Sequence, residues 1–257
     1  MRLDGDNGKP EIRLEHATKL VTVGHWLQEA KQPAAARRLA RQAATLCSQL
    51  ALDLSQDASG RRDLAHTLVD SSALANQLGE PALALEQAEL ARGIIQTWMR
   101  SALDDPEKDD GLSGAWERIA KARWSLGQRD QALAAFREST AIQKRMFERE
   151  PSHYVNRVSL SQCYNRLVHY DAMAGDLHAA SEAILARTEL WPNNTQELAK
   201  SADDFDALAK QVTTRARGRL SAEDQAERDR YRTESRRLRQ AVETVRRGAG
   251  QDLSVHR

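Results

Sequence analysis

The chain has 257 residues, 40% of them apolar and 29% charged, with a formal net charge of +1. That balance supports a packed core, argues against wholesale disorder, and shows no overall bias toward nucleic acid or membrane. Only 5% of residues are aromatic, and Ala, Leu, Arg, Gln and Glu dominate, a helix-forming composition poor in what strands favour. The polar stretch Met1 to Pro10 has no apolar core, and no window of the chain approaches the length of a membrane span. A soluble, cytoplasmic protein is therefore expected. Cys47 and Cys163 lie far apart on helical patterns and read as buried, reduced thiols, with no disulfide framework or zinc spacing.

In chain order, a polar tail over 1–10 precedes the first helical pattern. A turn recurs at Lys31, Gly79, Gly127 and Gly175, at a constant step of 48. The apolar columns keep the same step without a gap: Leu20, Leu68, Trp116 and Tyr164, then Val23, Ser71, Ile119 and Leu167, then Ala40, Ala88, Phe136 and Ile184. Within each unit the apolar spacing is three and four, which is a helical face. The glycine column ends the first helix of each unit in a left-handed turn, and Pro33 and Pro81 suit the first turn of the next helix.

This periodicity predicts helix pairs over 11–31 and 33–56, 59–78 and 81–103, 111–126 and 129–149, and 153–174 and 177–190. Asp104-Asp105-Pro106 opens an expected acidic loop reaching Gly111, and Ser152 is offered as an N-cap after Pro151. A degenerate fifth pair, 195–216 and 221–247, has Phe205 and Leu208 still one such step after Arg157 and Leu160, and suits a capping unit. The repeat domain is thus expected over 11–247, in units 11–56, 59–103, 111–149, 153–190 and 195–247, with disordered tails at 1–10 and 248–257.

Trp116-x-x-Ile119-Ala120, Leu126-Gly127 and Ala132-x-x-x-Phe136 resemble the tetratricopeptide pattern, and Tyr164, Leu167, Gly175, Ala180, Ile184 and Trp191-Pro192-Asn193 repeat it. The departure is length: the family's usual unit is shorter than the one found here. Ala115-Trp116-Glu117-Arg118-Ile119-Ala120, Tyr164-Asn165-Arg166-Leu167, Glu189-Leu190-Trp191-Pro192, and Tyr231-Arg232 with Leu238-Arg239-Gln240-Ala241-Val242, resemble the C-terminal helical region of large bacterial serine/threonine kinases of the type common in planctomycetes. No kinase domain accompanies them: glycine-rich loop, Val-Ala-Ile-Lys and Asp-Phe-Gly are all missing, and Arg61-Arg62-Asp63-Leu64 lacks the following Asn. The resemblance implies an all-α, right-handed α-α superhelix of about five antiparallel helix pairs.

No metal, nucleophile or phosphate motif stands out, so neither enzyme activity nor a cofactor is expected, and no small-molecule substrate. The expected role is a protein-interaction scaffold that captures a peptide or helix of a partner in the concave groove, with a regulatory module of a bacterial kinase as a finer possibility. The groove face of the first helices carries His25, Gln28, Asn76, Lys121, Trp124, Asn165 and His169 as candidate partner-binding residues. Trp124 stands either as an anchor or in packing between units, and Asn165 either reads a peptide or bonds between helices. Trp26, Trp98, Trp116 and Trp191 read as core. Arg215 to Arg247 holds 11 Arg against 6 acidic residues, so a nucleic-acid-binding regulator is the alternative, although Glu223 and Glu227 facing Arg228 and Arg230 would equally make a solvated helix.

Overall fold

A computed structural model describes residues 8–53, 58–101, 106–216 and 219–252, and holds ten α-helices and no strand among them. They are α1 (Pro10–Glu29), α2 (Pro33–Asp53), α3 (Ala58–Gln77), α4 (Pro81–Ser101), α5 (Pro106–Ser125), α6 (Arg129–Arg149), α7 (Tyr154–Ala174), α8 (Leu177–Glu189), α9 (Thr195–Arg215) and α10 (Ala222–Asp252). Among the described residues the chain is all-α and built of five helix pairs, the first four at an even step. It divides into two compact units, Met1–Glu150 with α1 to α6 and Pro151–Arg257 with α7 to α10.

Helix starts and stops follow from local chemistry. Four helices open on proline, at Pro10, Pro33, Pro81 and Pro106, where the absent N–H would be unpaired anyway. Four first helices close with the same pair of backbone bonds. In the third, Gly127 N–H donates to Trp124 O at 3.0 Å and Gln128 N–H to Arg123 O at 2.9 Å. The turn residue is left-handed each time: Gly79 φ 75°, Gly127 φ 78°, Gly175 φ 91°, and Lys31 φ 58°. Lys31 carries a Cβ into a conformation that penalises one by roughly 1–2 kcal/mol. Lys31→Gly should therefore raise stability by about 0.5–1 kcal/mol, after allowing for glycine's larger unfolded-state entropy. A thermal melt that does not move up would refute this.

The sequence reading is corrected at three places. Pro106 is the first residue of α5, so the helix starts well before Gly111 instead of following an acidic loop. Asp109 then ends the first turn and Asp110 begins the second, near the positive end of the helix, and they are held there by Arg149 and by Gln143 Nε2 (3.1 Å) respectively. Ser152 does not cap α7; its N-cap is His153, with no side-chain cap bond. The regular step also ends before the fifth pair. First helices start at Pro10, Ala58, Pro106 and Tyr154, but α9 starts at Thr195, a step of 41, because α8 has 13 residues where α2, α4 and α6 have 21. Phe205 and Leu208 accordingly match Tyr164 and Leu167, not Arg157 and Leu160. Asn194 caps α9, its Oδ1 accepting from Gln196 N–H (3.0 Å) and Glu197 N–H (3.1 Å). Ser221 and Asp224 form a reciprocal cap at the start of α10. The helical ends reach Pro10 and Asp252, while residues 1–7 and 253–257 of the expected tails lie outside the described residues.

Each unit has its own core. In the first, Leu14, Leu50, Leu64, Leu68, Ile95 and Ile142 are among the buried residues that pack together, and Cys47 lies with them. α1 packs on α2 and α3, and α3 in turn on α4 and α5. In the second, Leu160, Ile184, Phe205, Val212, Tyr231 and Leu238 are buried, with the Phe205 and Tyr231 rings 6.2 Å apart. No described helix is long and apolar enough to cross a membrane.

Candidate partner-binding site

The seven candidate residues divide between the units, His25, Gln28, Asn76, Lys121 and Trp124 in the first and Asn165 and His169 in the second. In the first unit all five are half-buried. Gln28 Oε1 and Asn76 Oδ1 are inaccessible and lack a hydrogen-bond partner, so those acceptors cannot reach a peptide without the side chains turning. Lys121 Nζ is bonded to Glu117 Oε1 at 2.7 Å, one helical turn back. Trp124 lies under the Arg129 guanidinium, 5.7 Å from the ring centroid. A cavity of about 700 Å3 opens between α1 and α3 and includes none of these five; Glu11, Glu15, Lys19, Asp63, His66 and Asp70 contribute to its wall.

The second unit brings its two candidates together. Asn165 and His169 line a cavity of about 520 Å3 between α7 and α9. Val168, Met173, Ala207 and Leu208 supply apolar wall, and Lys200, Asp204 and Gln211 the polar rim. Arg187 reaches it from α8 and is 1% exposed. Its guanidinium donates to Asn165 Oδ1, to Ser201 Oγ at 2.9 Å and to Asp204 Oδ2 at 2.6 Å. One arginine thus joins α7, α8 and α9, a use that its planar fork of donors permits and a lysine would not. Gln211 Nε2 donates to the carbonyl of Ala172 at 2.7 Å and ties α9 to α7 again. Asn165 is therefore a positioning residue whose oxygen serves an inter-helix bond. His169 and Met173 remain exposed at the rim.

The sequence reading missed Arg187, although a signal was present. Its column in the repeat is otherwise small and buried: Ala43, Ala91 and Ser139. A full-length arginine in such a column needs partners. Those partners could not be read, because Ser201 and Asp204 lie beyond the point where the register shortens. The tryptophans divide as well. Trp116 packs on the core beneath Arg92, 4.6 Å from the ring centroid, and Trp191 packs between Tyr154 (6.0 Å) and Arg157 (5.5 Å). Trp26 departs from the core reading: it is 63% exposed. The side chain of Trp98 lies outside the described residues.

Both cysteines are buried. Burial pushes the Cys47 thiol up to about 12, so no thiolate forms there at neutral pH. Among the described residues no group of three or more His, Cys, Asp or Glu side chains is placed to hold a metal ion.

Much of the arginine stripe pairs with nearby acids. Arg239 bonds Asp203 and Asp206 of α9, both at 2.8 Å. Arg215 bonds Asp224 (3.0 Å) and Glu227 (2.8 Å), so Glu227 faces Arg215 and not Arg230. Ser221 and Arg215 hold the Asp224 carboxyl below the usual range. These exposed pairs each contribute little to stability.

No family model matches the sequence, and no curated protein matches it. Among solved structures, a kinesin-light-chain-type protein of Podosopora anserina with nearly identical TPR-like repeats superposes with a TM-score of 0.53 at 14% identity, over 91% of this chain and 98% of that one. A point variant of that protein gives 0.53 and 14% over 92% and 98%. BtubC (BKLC) from P. vanneervenii gives 0.49 and 14% over 91% and 92%. The fold is that of TPR-like helical repeats.

Proposed function

We propose that this chain is a non-catalytic protein-interaction scaffold that captures a peptide or helix of a partner protein on the faces of its first helices. The observation that carries the reading is the cavity between α7 and α9. It offers an apolar wall at Met173, Ala207 and Leu208, a polar rim at His169, Lys200 and Asp204, and a frame held by Arg187. That is the pattern of a peptide groove: apolar contact for a side chain, hydrogen-bonding groups for its backbone, and rigid support beneath. His25, Gln28, Asn76, Lys121 and Trp124 belong to the equivalent faces of α1, α3 and α5 and would serve as further contact points, Gln28 and Asn76 only once their side chains turn outward. The TPR-like fold supports the same reading. The finer role, as a regulatory module of a serine/threonine kinase, rests on the sequence resemblance and makes a kinase domain the first partner to try.

Met173 and His169 are the residues to test, since changing Asn165 would also disturb Arg187. A peptide selected from a displayed library against the full chain should bind the Met173→Glu/His169→Ala variant at least about tenfold more weakly, the loss of a modest hot spot. Undiminished affinity in calorimetry would move the site away from the α7–α9 cavity.

A further inference from the structure

The cavity of about 700 Å3 between α1 and α3 holds none of the candidate residues, and its floor and rim differ in chemistry. Leu14 and Thr67 are buried at its base. Thr18 Oγ1 and Thr67 Oγ1 lie 2.9 Å apart, so a pair of hydroxyls ties α1 to α3 across the floor. The surface inside is mostly apolar. The rim is acidic: Glu11 and Glu15 come from α1, Asp63 and Asp70 from α3, and all four are exposed.

Lys19 is bonded to Glu15 at 2.5 Å, and those two charges cancel. Asp63 lies 3.4 Å from Arg62, an exposed contact of little strength. Glu11 and Asp70 meet no cation among the described residues. The repeat does not demand these acids. The column of Asp63 continues as Gly111 and Ser159, and that of Asp70 as Arg118 and Arg166. Nor do the carboxylates converge: among the described residues no group of three or more is placed to hold a metal ion. Acids spread along two helices beside an apolar floor suit several cationic side chains, each laying its stem on apolar surface with its head group at a carboxylate. Because the whole chain carries only +1, such a ligand is attracted here by the local field and not by the molecule at large. The α7–α9 cavity has the opposite balance, Lys200 and Arg187 against Asp204.

We infer that the α1–α3 cavity binds a basic segment of the partner protein, an extended stretch carrying several lysines or arginines. Ser59 to Asp70 covers roughly 16 Å of α3, the length of about five extended residues. This rests on the reading of the chain as a peptide-capturing scaffold, and gives that reading a second contact surface and a partner chemistry.

Fluorescence anisotropy of a labelled Lys-Leu-Lys-Leu-Lys peptide with the full chain tests this, against a Glu-Leu-Glu-Leu-Glu counterpart. The basic peptide should bind at least about tenfold more tightly than the acidic one, and Asp63→Asn/Asp70→Asn should weaken it by about tenfold. Helical circular dichroism should not change, because both side chains are exposed. Asp130→Asn/Glu138→Gln removes the same charge from α6 and should leave the affinity within about twofold, as should Met173→Glu/His169→Ala. A basic peptide that fails to bind, or binds no better than the acidic one, overturns the site. An equal loss in the α6 control does so too, since net charge alone would then explain the binding. Displacement by spermidine at the peptide's own concentration assigns the cavity to small polycations and overturns the partner segment. A basic peptide lost only from Met173→Glu/His169→Ala overturns this site and leaves the α7–α9 reading standing. A basic peptide held at Asp63 and Asp70, with the library-selected peptide indifferent to Met173 and His169, supports this site and overturns that reading alone.

Discussion

Arg187→Ala is expected to destabilise the second unit by about 3 kcal/mol, the largest effect of any single polar side chain here. Arg187 is 1% exposed and its donors meet Asn165, Ser201 and Asp204 on two other helices. Removing it leaves the Asp204 carboxylate without its cation, leaves Asn165 Oδ1 and Ser201 Oγ short of a donor, and opens a void at the junction of three helices. Asp204 is partly exposed and can recover water, which holds the loss to the lower end of the range for a broken buried pair. Arg187→Lys should fall between, because an ammonium on a shorter stem cannot span three acceptors in one plane. Urea denaturation measures the total, and hydrogen exchange on α7, α8 and α9 places it. A loss under about 1 kcal/mol would mean that the network is incidental.

The second large effect lies at the junction of the first two helix pairs. Leu74 is 0% exposed and fills the slot between α1 and α2. Leu74→Ala should cost about 3 kcal/mol, the transfer of its methyls plus the cavity left behind. Gly24 gives the control. Its missing Cβ is what admits Leu74 so closely, so Gly24→Ala on its own sets a methyl against Leu74 Cδ2 and offsets the roughly 1 kcal/mol of helix propensity gained. In the Leu74→Ala background the same change meets no clash and partly fills the void. The two substitutions should thus couple by about 1 kcal/mol or more, with the double variant more stable than Leu74→Ala alone. Additive effects would show that Leu74 does not rest on Gly24.

These predictions rest on features of different legibility. The turn at Lys31, Gly79, Gly127 and Gly175 could be read directly, because a left-handed residue followed by a fresh helix start is a local requirement that glycine and proline meet by their own stereochemistry. The start of α5 was misread for a related reason. An acidic run beside a proline looks like a loop, yet Pro106 is a good first residue, and Asp109 and Asp110 suit the start of the helix once Arg149 and Gln143 of α6 stand opposite.

The sequence by itself determined that this chain is helical, that it repeats at an even step through α7, and which face of each helix is buried against its own pair. Those properties depend on the spacing of apolar residues and on turn chemistry, both of which act over a short stretch of chain. Only the tertiary structure decided that α8 stops short and brings α9 forward, so that Arg187 meets Asp204 and Asn165 and joins three helices around one cavity. It also decided that Trp26 and Leu74, two members of one column, differ between 63% and 0% exposure. A column specifies which face will stack; whether anything is stacked there depends on the neighbour, and no spacing within a helix carries that information.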